Sequence, residues 1–109
     1  MEREGEVKLD LLYYKEGTAW SQEEVAKVFQ YGAKKHGRND WKSRESKVFL
    51  ESHLRHLNQI IQGSTYDVES EFRHVHHAIA NLLMFAERSR EEMFERFRKE
   101  GLEECSKKD

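Results

Sequence analysis

Hydrophobic residues recur every three to four positions along most of the chain, with polar residues between them, which is typical of amphipathic helices. The first such stretch begins at Ser21-Gln22-Glu23-Glu24, which has the pattern of a capping box. Trp20 and Val25 occupy the two positions of a hydrophobic staple around it. Gly37 follows a basic last turn, where glycine commonly closes a helix. These signals predict the first long helix and both of its ends.

A second amphipathic helix is predicted from about Ser46 to Gln62. Its apolar residues recur at intervals of three and four, so we expect them to be buried: Leu50, Leu54, Leu57 and Ile61. The polar segment 63–70 predicts a loop, in which Asp67 or Ser70 is expected to cap the next helix.

The third predicted helix begins near Glu71 and has the longest apolar stripe. We expect this stripe to form the core: Phe72, Val75, Ile79, Leu82, Leu83 and Ala86. Residues 87–100 are mostly charged but keep a narrow apolar side. The pattern leaves open whether they continue the third helix or form a fourth after a break at Ser89.

The organisation that follows is an all-α bundle of three to four helices with a short irregular N-terminal arm over residues 1–19. We expect a single domain over residues 1–101 and a polar tail over residues 102–109. The chain has no proline, which permits long uninterrupted helices. Because 37% of the 109 residues are charged, the core is expected to be thin and shared with a second copy, as a homodimer or tetramer.

Composition excludes several kinds of partner. The 19 basic and 21 acidic residues nearly cancel, which argues against binding to a nucleic acid polymer. No apolar run approaches the roughly 20 residues that span a bilayer, so no membrane association is expected. The charged N-terminus lacks the apolar core of a signal peptide, and the single cysteine, Cys105, suits a reducing compartment. We therefore expect a cytoplasmic protein.

Histidines are concentrated in the second half of the chain. His53 and His56 are three residues apart on the second predicted helix, and His74 and His77 have the same spacing on the third. Asn81 lies four residues beyond His77 and extends that polar line beside the apolar stripe. Polar groups that border a buried helix face commonly build a metal or ligand site in a bundle. The alternative is that these imidazoles face solvent or simply form hydrogen bonds.

Basic and aromatic residues near the ends of the predicted helices supply further candidates for ligand binding. Five cations could bind phosphate oxygens or, alternatively, form a solvated rim: Lys34, Lys35, Arg38, Arg55 and Arg73. Trp41 follows a polar turn, where it could stack on a base or anchor the core.

Six segments, in chain order, resemble motifs of one known family. They are Lys8-Leu9-Asp10-Leu11-Leu12, Tyr31-Gly32-Ala33-Lys34-Lys35, Asn39 with Trp41, Leu54-Arg55-His56-Leu57, Gly63 with Asp67, Glu69 and Ser70, and His74 with His77, Ala78 and Asn81. The family is the phage-type dATP/dGTP diphosphohydrolase N-terminal domain, which is similar to the MazG-type all-α nucleotide pyrophosphohydrolases. Ser64 stands where the family has a glutamate.

The resemblance implies a phage protein that cleaves a purine (deoxy)nucleoside triphosphate to the monophosphate and pyrophosphate with a divalent metal. It implies a metal site for Mg²⁺, Mn²⁺ or Co²⁺, with zinc as an alternative, at His56, His74 and His77. It implies catalytic roles for Asp67 and Glu69, one as general base, and for the charge-neutralising Arg55, Lys34 and Lys35. The implied substrate-binding residues are Asn39, Trp41, Arg38 and Asn81. The alternative is a non-catalytic helical module that binds a nucleotide or a host protein.

Overall fold

A computed structural model of the chain describes residues 5–14 and 17–101. It confirms the all-α fold, with four helices and one 3₁₀ turn between the second and the third. The helices are α1 (Asp10–Tyr13), α2 (Ala19–His36), α3 (Ser46–Ile61) and α4 (His74–Glu100), and the turn is Asp40–Ser43. The predicted tail, residues 102–109, lies outside the described residues. None of these helices is both long and apolar enough to cross a bilayer.

The longest helix, α4, is the centre of the bundle, because both α3 and α2 pack mainly against it. The pairing of α3 with α4 is antiparallel, since Ser46 at the start of α3 contacts Glu92 while His56 near its end contacts His74. The contact of α2 with α4 is a small apolar core around Val25, Val28 and Ala80. Helices α2 and α3 therefore both pack on α4, and a gap remains between them.

The predicted start of α2 is wrong. The helix begins at Ala19 and its N-cap residue is Thr18, so Ser21 lies inside the first turns and is not the cap. The Thr18 hydroxyl and N–H both donate to the carbonyl oxygen of Leu12, which joins the helix start to the preceding segment. The predicted end is confirmed, because Gly37 has a φ of 103° that side-chain-bearing residues rarely adopt.

The start of α4 also differs from the prediction. The helix begins at His74 after Arg73, with no side-chain cap, so neither Asp67 nor Ser70 caps it. Glu71 has a positive φ of 66°, which is incompatible with an α-helix and delays its start. The chain instead makes a tight turn in which the Asp67 N–H donates to the carbonyl oxygen of Phe72. The open question at the other end is settled, because α4 continues without a break to Glu100.

The arm before α2 is more regular than predicted, because α1 forms one helical turn in it. The predicted buried stripes are the larger correction. Several of their members are exposed in the described chain: Leu54, Leu57, Ile61, Leu82, Leu83 and Ala86. The buried positions of α3 are Ser46 and Phe49, and those of α4 are small or polar: His74, His76, Ala78, Ala80 and Asn81. The helices therefore meet through faces that the apolar pattern did not indicate.

The N-terminus of α3 is held by a carboxylate from α4. The Ser46 N–H donates to Glu92 Oε2 at 2.8 Å, and the Ser46 hydroxyl donates to Oε1 at 2.6 Å. Arg88 lies 3.9 Å from the same carboxylate and donates to the carbonyl oxygen of Arg44. The hydrogen bonds from Ser46 lower the pKa of Glu92. This contact fixes the end of α3 that is remote from the histidines.

We expect Glu92→Gln to lower the free energy of unfolding at neutral pH by about 1–2 kcal/mol, since it weakens two hydrogen bonds to a charged acceptor. The folded-state pKa of Glu92 is below its ordinary value of 4.5. Its contribution is therefore complete above that value and is lost as the pH falls through the folded-state pKa. Urea unfolding followed by circular dichroism should show the full deficit at pH 7 and a progressively smaller one as the pH is lowered below 4.5. The exposed Glu95→Gln is the control, and a deficit that does not change with pH would contradict the assignment.

Candidate functional site

A cleft of about 920 Å³ opens between α2 and α3, and α4 forms its floor. The loop over residues 63–70 closes one end of it through Asp67 and Glu69. Most of the residues singled out from the sequence line this cleft: Lys35, Arg38, Asn39, Trp41, Arg55, His56, Asp67, Glu69, His77 and Asn81. Lys34 is exposed on α2 and does not line it, and His74 is buried behind His56.

Two imidazoles and a carboxylate meet at the loop end of the cleft. The Nδ1 atoms of His56 and His74 are 2.9 Å apart, so one ring donates a hydrogen bond to the other. One donor atom from each of His56, His74 and Asp67 lies within 4.8 Å of the other two. A mixed set of imidazole and carboxylate donors is one that manganese, cobalt, iron and zinc accept. The residues present therefore fit a divalent metal.

The loop positions Asp67 through Ser70. Both the backbone N–H and the hydroxyl of Ser70 donate to Asp67 Oδ2, at 2.9 and 2.8 Å. Burial tends to raise the pKa of Asp67, but these bonds together outweigh it and hold the pKa below its ordinary value. Asp67 is consequently ionised at neutral pH, as a metal ligand must be.

His77 lies parallel to His56, with ring centroids 4.5 Å apart and planes inclined by 6°. Because the single hydroxyl hydrogen of Ser70 is donated to Asp67, the 2.6 Å contact between Ser70 Oγ and His77 Nε2 requires a proton on that nitrogen. His77 Nε2 lies 3.9 Å from Asp67 Oδ2, so His77 is next to the cluster of three metal-donor side chains but is not one of its members.

Burial keeps these histidines in the neutral form. It lowers the pKa of His56 to about 4, with a further contribution from His77, and it also lowers the pKa of His77 against the opposing effect of Asp67. Neutral imidazole is the form that binds a metal ion.

Glu69 links the loop to α2. It accepts a hydrogen bond of 3.0 Å from the Tyr31 hydroxyl and an ion pair from Lys35. The bonds from Lys35 and Tyr31 lower the pKa of Glu69, which makes it a weak base at neutral pH. Tyr31 was not singled out as a site residue, although its position four residues before Lys35 places both side chains on one face of α2.

The cations of the cleft divide into paired and free groups. Lys35 binds Glu69, and Arg44 binds Asp40 at 2.8 Å. Within the described part of the chain, neither Arg38 nor Arg55 forms an ion pair or a hydrogen bond with another side chain. Their guanidinium groups are therefore available to an anionic ligand.

An aromatic group forms the wall of the cleft next to the 3₁₀ turn. Trp41 stacks on Phe29 with ring centroids 6.2 Å apart and packs edge-on against Phe49. Asn39 precedes this turn with a φ of 64°. On the floor of the cleft, the amide nitrogen of Asn81 donates to the carbonyl oxygen of His77 at 2.8 Å, which fixes its orientation.

The two histidine pairs suggested by the sequence do not face each other as pairs. His53 Nδ1 donates to the carbonyl oxygen of Ala78 at 2.7 Å, which is a structural hydrogen bond between α3 and α4. His76 points away from the cleft and packs edge-on against Trp20. Ser64, which stands where the family has a glutamate, lies in the site, and its hydroxyl contacts His74 Nε2 at 3.0 Å.

Comparison with models of protein families finds a match over most of the chain. The family model described as dATP/dGTP diphosphohydrolase, N-terminal, matches residues 2–96. The matched range contains every residue of the cleft. No curated protein and no solved structure matches the chain significantly.

Proposed function

The chain belongs to the dATP/dGTP diphosphohydrolase N-terminal family, and we propose that its cleft binds a purine deoxynucleoside triphosphate and cleaves it to the monophosphate and pyrophosphate. The observation that supports this most is the presence in one cleft of a His–Asp donor cluster, two free guanidinium groups and an aromatic wall. The cleft volume of about 920 Å³ is within the range of small-molecule sites.

His56, His74 and Asp67 would hold the divalent metal, which supplies Lewis-acid stabilisation of phosphate oxygens and an acidified water. The protein's part is to keep the His56 imidazole neutral and Asp67 ionised. His77 orients His56 through ring stacking and is itself held by Ser70. Such partners of a ligand fix its geometry and affect both affinity and rate.

The triphosphate would lie along the cationic side of the cleft. Arg55 and Arg38 bind its oxygens, because planar guanidinium groups match phosphate geometry and no side chain in the described part of the chain pairs with either. Lys35 shares its charge with Glu69 and contributes less. Lys34 has no role in this proposal, since it lies outside the cleft.

The base would pack against Trp41, whose ring is supported from behind by Phe29. Asn39 lies beside it and supplies polar contacts to the base or sugar. Glu69 anchors the loop rather than accepting a proton, because its pKa is lowered and its oxygen is already bonded.

Product analysis tests the proposal. We expect chromatography to show dGMP or dAMP together with pyrophosphate after incubation with the matching triphosphate and Mg²⁺, Mn²⁺ or Co²⁺. The Asp67→Asn variant, purified in parallel, is the blank for contaminating phosphatases. Release of free nucleoside and inorganic triphosphate would contradict the proposed bond cleavage.

One observation favours a second candidate, a module that binds the nucleotide without cleaving it. The donor cluster contains a single carboxylate, and position 64, where the family has a glutamate, is occupied by a serine that bonds to His74. Calorimetry that shows nucleotide binding, combined with intact substrate after hours, would support this second candidate.

A further inference from the structure

Gly32 lies well inside α2, where the helical backbone has no need of a glycine. Unlike Gly37 at the end of the helix, it does not have a positive φ. Glycine inside a helix is destabilising relative to alanine, because it loses more backbone freedom on folding. A glycine at such a position therefore indicates that a side chain there would interfere with something.

The side of α2 on which Gly32 lies is the side that packs on α4. Gly32 is seven residues from Val25 and four from Val28, so the three residues share one face of the helix. Both valines are buried and form the small core with Ala80. A side chain at position 32 would consequently point into the bundle and extend the apolar stripe of α2.

No part of the described chain fills the space in front of Gly32. A Cβ atom at this position would meet no heavy atom of a neighbouring element within 4 Å. Side chains in a packed interior contact their neighbours at about 4 Å, so this space is not packed. It belongs to the cleft, which Gly32 lines. The absence of a side chain therefore widens the cleft along α2 and is not required by packing against another helix.

Along α2, Gly32 lies between the aromatic wall of the cleft and one of its cations. Phe29, which supports Trp41, is three residues before it, and Lys35 is three residues after it. Residues three apart on a helix are neighbours on its surface. In the proposed binding mode the base packs on Trp41 and the phosphates lie toward the cations. The sugar, which joins the base to the phosphates, therefore lies nearest Gly32.

We propose that Gly32 is the position at which the sugar of the bound nucleotide lies directly against the backbone of α2. This proposal rests on the proposed function, since it takes the ligand of the cleft to be a nucleoside triphosphate. A methyl group at position 32 would occupy the space of the sugar and move it away from the helix. The base and the phosphates could then not reach Trp41 and the cations together. Gly32 thus sets the width of the cleft for the nucleoside part of the ligand.

Calorimetry on the full chain tests this contact with two probes in the presence of Mn²⁺. One is the α,β-methylene analogue of dGTP, in which the bond to be cleaved cannot be hydrolysed, and the other is inorganic triphosphate. We expect Gly32→Ala to weaken binding of the analogue at least about 10-fold, as one misplaced methyl group does in a fitted pocket. Gly32→Leu should weaken it further, because its side chain is larger. Neither variant should change the affinity for inorganic triphosphate, which has no sugar.

Thermal unfolding separates loss of the contact from loss of the fold. Gly32→Ala should raise the midpoint of unfolding by about 4 °C, because alanine favours the helix. The control is Glu23→Gly, at an exposed position of α2 outside the cleft. It should lower the midpoint by about 4 °C and bind the analogue as the wild type does.

The possible outcomes distinguish this proposal from the proposed function. If the wild type binds the analogue and both Gly32 variants bind it equally well, the sugar does not lie at Gly32, while the proposed function stands. Equal weakening of the analogue and of inorganic triphosphate would also overturn the contact, because the effect would then not depend on the sugar. A wild type that binds neither probe would remove the proposed function and this contact together.

Discussion

Asp67→Asn should reduce nucleotide hydrolysis by at least about 100-fold. Loss of a residue that only orients a metal ligand costs up to about 100-fold, and Asp67 is proposed as a ligand itself. Asp67 is the one carboxylate that shares the donor cluster with His56 and His74. Asparagine has the same shape, and its amide oxygen can still accept the two hydrogen bonds from Ser70. The substitution therefore removes the negative charge and leaves the loop folded.

The measurement has two parts, turnover by product chromatography and Mn²⁺ affinity by calorimetry, and both should fall together. The matched control is Asp40→Asn, since Asp40 also lines the cleft but forms an ion pair with Arg44 outside the donor cluster. We expect this control to keep its metal affinity. Full metal affinity in Asp67→Asn would show that the metal is not bound at this cluster.

The C-terminal ends of α2 and α4 were predictable, because they depend on the backbone conformation of a single glycine. Gly37 and Gly101 both have positive φ values and end α2 and α4, as their type and position indicate. The start of α3 was also predicted, at Ser46. The starts of α2 and α4 were not, because they depend on contacts made by the preceding loop. Thr18 occupies the N-cap position of α2 without a side-chain cap, and its hydroxyl and N–H bind the carbonyl oxygen of Leu12 in the preceding segment instead.

The apolar stripes show what a periodic pattern can and cannot establish. Leu54, Leu57 and Ile61 lie on one side of α3, as the spacing predicts, but this side is exposed in the described chain instead of buried. The pattern identifies an apolar face and leaves its partner undetermined. The contact between α3 and α4 depends instead on polar residues such as Ser46 and His53, whose bonds reach Glu92 and the Ala78 carbonyl.

Most residues that line the cleft could be predicted from residue types and their order, but the way they contact one another could not. His56, His74 and Asp67 were all candidates, but the sequence did not indicate that the cluster would be formed by these three and not by His56, His74 and His77. Lys34 and Lys35 were indistinguishable by type, yet a rotation of about 100° leaves one outside the cleft. Ser70 was expected as a helix cap or as part of the family-like loop, and neither signal indicated its bonds to Asp67 and His77.

His77→Ala should reduce turnover by about 100-fold, comparable to the loss of a partner that orients a metal ligand. The imidazole stacks on His56 and bonds to Ser70, so its removal frees both to reorient. Because His77 lies outside the donor cluster, we expect the Mn²⁺ affinity to fall less than in Asp67→Asn. Steady-state kinetics and calorimetry on the same preparation distinguish these effects.

The control for His77→Ala is His53→Ala, which removes an imidazole of similar burial from the α3–α4 contact but not from the cleft. Both variants should keep the helical circular-dichroism signal at a temperature well below unfolding, and only His77→Ala should lose turnover. If His77→Ala instead abolishes metal binding as completely as Asp67→Asn does, His77 is itself a ligand, and its bond to Ser70 must break when the metal binds. Unchanged turnover in His77→Ala would remove this residue from the site altogether.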